Sequence, residues 1–327
     1  MEDSATPTQM PALTVGEFLE KNRSAVRLDP GSDPALLARR ITKKRLQKLG
    51  MALAGFAEYI QDGRIYVFGN TEASYCRSRS AEQLREVIAK LAPRLNTGIL
   101  VTQGLAPPPV LAEFARQQGL PILRTELDSS TAIYRFTEFL EIELSPRMIL
   151  HGLLMDVYGL GVLIGGESGI GKSECALELI LRGHRLVADD VVDLRNVGGK
   201  HLIGESPPPV RNLLELRGIG ILNVREMFGI SAVSRMKEVI FYIHLERWHS
   251  QKAYDRLGFS WQRREVFGVE LPSMSIPVAP GRNLSVLVEV ACRVFLMRSS
   301  GQHPMGDLCR ILADISGSSD GTEEVAP

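Results

Sequence analysis

Gly166-Glu167-Ser168-Gly169-Ile170-Gly171-Lys172-Ser173 completes the GxxxxGK[ST] pattern between a stretch that reads as a strand and one that reads as a helix. Upstream, Asp156 to Ile164 is apolar and rich in β-branched residues, which predicts one buried strand ending at Gly165. Downstream, Ser173 to Arg182 predicts a helix packing through Ala176, Leu177, Leu179, Ile180 and Leu181, with Gly183 as its stop. Glycines let the backbone curl so that successive N–H groups and the helix N-terminus face phosphate oxygens. In such a loop Lys172 pairs with the β- and γ-phosphates of a nucleotide, and the Ser173 hydroxyl holds Mg2+.

Beyond the helix, Arg185 to Asp193 places Asp189 and Asp190 at the end of an apolar run. A strand there is expected to lie beside the loop's own strand and bring its carboxyl end to the phosphates. One carboxylate can serve a divalent cation while its neighbour accepts the proton of an attacking hydroxyl. Alternation along a strand sends the two to opposite faces, and the residues alone do not choose between them. Asp193 is expected to be the solvated member of the acidic group. His151, before the loop's strand, reads by itself as a packing residue. Glu215 stands in the apolar segment Leu214 to Asn223, where a carboxylate needs a partner, either Arg217 or a divalent cation. Pro277 to Arg282, with Gly281, reads as a rigid turn presenting a guanidinium able to clamp phosphate. Arg256 offers a second guanidinium, or a partner for Asp255.

The 327 residues, 44% hydrophobic and 23% charged, describe a soluble globular chain long enough for two domains. Lys plus Arg and Asp plus Glu are both 38, so no global charge favours nucleic acid. The basic run Arg39 to Arg45 reads as a solvated helix face. Cys76, Cys175, Cys292 and Cys309 lack metal-ligand spacing, and Cys175 and Cys292 fall in apolar helical patterns as small core residues. No run of eighteen apolar residues and no leader pattern occurs, so the expectation is a cytoplasmic enzyme with no membrane partner.

The fold class expected is α/β with two domains: a small N-terminal α/β domain at 12–140 and a C-terminal P-loop kinase domain with a mixed sheet at 147–316. Tails at 1–11 and 317–327 are expected to be poorly ordered. In the first domain, strands are predicted at 63–69, 97–102 and 122–123, with helices at 81–91 and 110–117. The second adds strands near 185–188, 239–245 and 266–271 and an amphipathic helix over 283–297.

The segments HGLLMDVYGLGVLI, GESGIGKS, ECALELILRGHRLVADDVVDL, LLELRGIGILNV and PVAPGRNL together resemble the HPr kinase/phosphorylase family over most of residues 150 to 290. LELRGIGILN is the most family-specific of them, and Met155 is a conservative departure from the usual aliphatic β-branched residue. The resemblance implies an enzyme that phosphorylates a serine of the phosphocarrier protein HPr with ATP. It also implies phosphorolytic removal of that phosphoryl group by inorganic phosphate, giving pyrophosphate, in the control of carbon metabolism. It implies that Gly166 to Ser173 binds ATP, that Glu215 is a second Mg2+ ligand after Ser173, and that His151 and Arg256 are active-site residues. Asp190 becomes the proton acceptor and, in reverse, the donor. The segments at 214–223 and 277–282 are tied to both activities and to dephosphorylation respectively, and a homohexamer is implied. A P-loop kinase of a small metabolite is the alternative, but it has no need of the LELRGIGILN segment. A nucleotide switch without catalysis has no need of Asp190 and His151.

Overall fold

The computed structural model describes residues 12–91, 93–249, 251, 262–279 and 281–300. Arg256, Pro280, Cys309 and both expected tails lie outside the described residues. The described chain forms two compact units, one of 12–148 with 195–200 and the other of 149–194 with 201–300.

In the first unit, Ile65–Phe68, Gly98–Val101 and Ile122–Arg124 are fully or mostly buried strands pairing in parallel, with Gln47–Lys48 parallel at one edge and Arg27–Leu28 antiparallel at the other. Helices Ala81–Leu91 and Pro109–Gln117 bury Leu84, Ile88, Leu91, Leu111 and Phe114 on one face of this sheet. Ser129–Glu143 covers the other face through Ala132, Phe136 and Leu140. Arg39 to Arg45 is not a helix face. Arg40–Ile41 is extended and pairs with Leu13–Thr14, burying Ile41 while the flanking charges stay outside.

From Leu153 onward the elements include β1 (Leu153–Val157), β2 (Leu160–Gly166), α1 (Lys172–Leu181), β3 (Arg185–Ala188), β4 (Val191–Val197), β5 (His201–Glu205), β6 (Leu213–Leu216), β7 (Gly220–Asn223), α2 (Val224–Phe228), β8 (Met236–Arg247), β9 (Gln262–Val266), β10 (Val269–Val278) and α3 (Leu284–Ser299). The main sheet runs β3-β1-β2-β8-β5-β4 and ends on the strand Arg147–His151, and β10 also pairs with β8 and carries β9. It is mixed, since β2 runs parallel to β8 while β1 is antiparallel to both β2 and β3.

Two expectations are corrected here by one kind of turn. The predicted strand over 156–164 is a hairpin of β1 and β2, because Tyr158 and Gly159 both take positive φ, 53° and 85°, and reverse the chain. The strand predicted at 266–271 is likewise split into β9 and β10 by Phe267 and Gly268, at 48° and 76°. Paired positive φ values are the two-residue hairpin turn whose twist matches the strands it joins. As a result β3 lies beside β1 and not beside the loop's strand β2, although its carboxyl end reaches the same edge of the sheet.

α1 forms because its sequence lacks glycine and proline and supplies Ala, Leu and Glu. It ends where Gly183, at φ 91°, lets its own N–H bond to Ile180 O and that of His184 to Leu179 O. Cys175, Ala176, Leu179 and Ile180 of α1 and Val288, Ala291 and Cys292 of α3 meet the sheet in one core, whereas Leu181, expected to pack, is exposed. Burial pushes the Cys175 and Cys292 thiols up to about 12, which suits inert packing residues.

The C-terminal end of α1 is tied to α3 by Glu289, whose carboxylate accepts from Arg182 Nε and Nη2 at 2.9 and 2.7 Å and sits 2.9 Å from His184 Nε2. The Arg182 bonds and the His184 partner hold the Glu289 carboxyl down at about 2, against the cost of burial. A depressed carboxyl stabilises the fold above its unfolded value, near 4.3, and loses that contribution as pH falls toward about 2. Glu289→Gln is therefore expected to lower the thermal midpoint at pH 7 but to narrow its gap to wild type between about pH 4 and pH 2. Parallel melting curves of the two proteins across that range check it, and a constant gap would count against the clamp.

Candidate functional site

The loop between β2 and α1 is shaped by contacts that admit no side chain. A Cβ on Gly166, at φ 149°, would stand 2.6 Å from Leu245 O, and one on Gly165 would stand 2.0 Å from the Tyr242 hydroxyl. Both opposing atoms belong to β8, the parallel neighbour of β2. Gly169 and Gly171 take φ values of 75° and 102°, which turn the chain into α1. Lys172 then folds back over the loop, donating from Nζ to Gly166 O at 3.0 Å and Glu167 O at 2.9 Å. Ile170 is buried in the core beneath, while Ser168 and Glu167 face out.

Asp189 and Asp190 are divided by the backbone as well as by alternation. The Val191 N–H bonds to Asp189 O at 2.8 Å, closing a three-residue turn around Asp190 at φ 63°. Such a turn is rare and strained for a residue with a side chain. Asp189 points inward, where its carboxylate accepts from the Ser173 hydroxyl at 3.1 and 3.2 Å and from the Glu215 N–H at 3.3 Å. Burial pushes the Asp189 carboxyl above its ordinary value, and these donors only partly offset it. Asp190 points outward, 72% exposed, with its Oδ1 3.7 Å from Nδ1 of His151. His151 is 81% exposed, so it is a surface residue at the cleft's edge and not the packing residue that its sequence setting suggests. Asp193, expected to be solvated, is half-buried.

Ser168, Gly169, Gly171, Lys172, Ser173, Glu174, Asp189, Asp190, Glu215 and Arg217 line one cleft of about 250 Å3. Glu215 is exposed there, not enclosed by apolar groups, because β6 and β7 form a separate hairpin with only alternate residues in the core. Arg217 makes no ion pair with it. The Arg217 guanidinium lies against Gly169, where a Cβ would come within 2.9 Å of both terminal nitrogens. Glu215, Arg217 and the aspartates are thus brought to the phosphate loop. Pro277, Gly281 and Arg282 do not line the cleft. Pro277 belongs to β10 opposite Glu246, so the turn begins only after Val278, and Gly281 has φ 79°. Arg247 was not foreseen: it ends β8, which runs beside the loop's strand, and its Nε lies 3.1 Å from Glu167 Oε2. Nothing local in the sequence marks it, since only strand neighbourhood brings it there.

This arrangement can cradle phosphates, offer a desolvated carboxylate beside a hydroxyl to a cation, and hold an exposed carboxylate to a proton. No helix among the described residues is long and apolar enough to cross a membrane.

Comparison with known proteins finds two family matches along the chain. Residues 13–140 match the HPr Serine kinase N terminus, and residues 142–310 match the HPr Serine kinase C-terminal domain. The HPr kinase/phosphorylase of Geobacillus thermodenitrificans is 39% identical over 305 residues, covering 93% of this chain and 97% of the relative. That of Geobacter sulfurreducens is 41% identical over 292 residues, covering 89% and 92%. A solved structure, the Hpr(Ser) kinase/phosphatase from Coxiella burnetii, shares 36% identity over 47% of this chain and 93% of that one, with a TM-score of 0.44.

Proposed function

The chain belongs to the HPr kinase/phosphorylase family, and from that premise we propose how its cleft serves the two opposed reactions. It is a serine kinase/phosphorylase that phosphorylates HPr with ATP and removes the phosphoryl group again. The observation that carries the mechanism is the separation of Asp189, buried against Ser173, from Asp190, exposed beside His151.

In the forward direction the loop N–H groups and Lys172 hold the β- and γ-phosphates, with Lys172 exchanging its two carbonyl partners for phosphate oxygens. Asp190 takes the proton of the seryl hydroxyl as its oxygen forms the new bond to the γ-phosphorus and the bond to ADP breaks. His151 orients the Asp190 carboxylate, and Arg217 adds positive charge along Gly169. Ser173 and Asp189, with Glu215 at the same cleft, would hold a divalent cation, since burial leaves the Asp189 carboxylate only partly balanced by the donors around it. When bound, Mg2+ neutralises phosphate charge. Arg256 is proposed as a further phosphate contact.

In reverse, inorganic phosphate occupies the loop. Its oxygen attacks the phosphorus of phosphoserine, the bond to the seryl oxygen breaks, Asp190 returns its proton to that oxygen, and pyrophosphate leaves. Hydrolysis would give orthophosphate only. Phospho-HPr incubated with phosphate is therefore expected to release one pyrophosphate per serine freed, measured by a coupled pyrophosphate assay, and orthophosphate alone would overturn phosphorolysis. Labelled ATP, Mg2+ and HPr should leave acid-stable label on HPr, as phosphoserine does and phosphohistidine does not. A cytoplasmic homohexamer completes the reading, with light scattering as the test of its mass.

A further inference from the structure

The hairpin that carries Glu215 and Arg217 to the cleft also carries unusual apolar exposure. Between positions 219 and 230, Ile219 is 70% exposed, Ile221 67%, Met227 58% and Ile230 72%. The fold does not require these side chains to be apolar, because the same segment anchors itself through Leu214, Leu216 and Val224, which are buried. Single exposed apolar residues need no explanation, but several in one short segment mark a contact surface.

The register places this surface at the cleft. Ile221 stands directly opposite Glu215 in the β6–β7 pair, so both side chains leave the hairpin on the same face, with Cβ atoms about 4.5–5.5 Å apart. Glu215 lines the cleft, and Ile221 is its cross-strand neighbour. Ile219 is in the connecting turn, Met227 is in α2, which the Asn223 side chain caps, and Ile230 follows that helix.

We propose that Ile219, Ile221, Met227 and Ile230 form the apolar platform on which the protein carrying the acceptor serine docks. This rests on the functional reading above, since a serine held on a folded protein reaches Asp190 only if that protein's surface settles on the rim beside Glu215. The occupant is then a protein with an apolar patch next to its acceptor serine.

Met227→Ser and Ile230→Ser test it, both lying outside the segment 214–223, the second retaining the test if the first perturbs α2. Each is expected to raise KM for HPr about tenfold while kcat at saturating HPr stays within about twofold, the pattern of a contact made equally in ground and transition states. ATP affinity, by equilibrium dialysis, and mass, by light scattering, should match wild type. An unchanged KM in both variants overturns the platform, and a fall in mass overturns it in favour of a contact between copies of this chain. If the wild type itself transfers no phosphoryl group to HPr, the functional reading fails, an outcome distinct from an active wild type with insensitive variants.

Discussion

Asp190→Asn is expected to lower phosphorylation of HPr and its phosphorolytic reversal together, each by about 10²–10⁴-fold, the range that a positioned general base or acid supplies. Asparagine keeps the shape and the hydrogen-bonding reach but cannot take up or return the seryl proton at neutral pH. It also tolerates positive φ, so the turn held by Val191 N–H and Asp189 O should persist. Because the Asp190 carboxylate is largely exposed and lies beside an equally exposed His151, and the backbone bonds of this residue survive the substitution, folding and ATP binding should be unaffected. Asp189 cannot replace it, being buried and occupied by Ser173 and the Glu215 N–H. The measurement is initial rates in both directions on the same preparation, with ATP affinity as control. Loss in one direction alone would refute a shared proton carrier.

The largest effect on stability is expected from Glu143→Ala. Glu143 is buried at the end of its helix, and its carboxylate meets Lys21 at 2.7 Å, Arg195 at 3.0 Å and Arg147 at 3.2 Å. Burial alone would push this carboxyl up, yet Lys21 and Arg195 outweigh it and hold it below its ordinary value. Arg195 is itself buried, so removing the carboxylate takes a close counter-charge from a cation held away from water. Breaking one partner of a buried pair costs about 3–5 kcal/mol, which for a unit of this size lowers the thermal midpoint by roughly 10 °C. Differential scanning calorimetry reads it directly. A shift within a degree or two would mean that the cluster rearranges without loss, and Glu143→Gln, which retains hydrogen bonding, should fall between.

The loop, the helix after it and the amphipathic helix at 284–299 were legible because glycine spacing and helical periodicity are local signals. The two hairpins were not. Tyr158-Gly159 and Phe267-Gly268 reverse the chain with an aromatic residue where asparagine or aspartate is the usual sign, so each turn reads as a continuation of its apolar strand. One of these misreadings caused another. Taking β1 and β2 as one strand removes β1 from the sheet, which is why Asp189 was expected one strand nearer to the loop than it is. The candidate site was legible as a set of residue types, and its partners less so. Glu215 reads as enclosed because its neighbours are apolar, but in a hairpin packed on one face every second residue meets water. His151 and Arg247 owe their places to contacts distant in sequence, which no local pattern reports.

The turn around Asp190 has a consequence for how this chain can change. Glycine would adopt the same φ without the steric cost that a side chain meets there. The native residue is therefore less favourable for the backbone than its simplest replacement, and selection for robustness alone would remove it. Stabilising the protein by directed evolution should accordingly spare this position only when turnover is part of the screen.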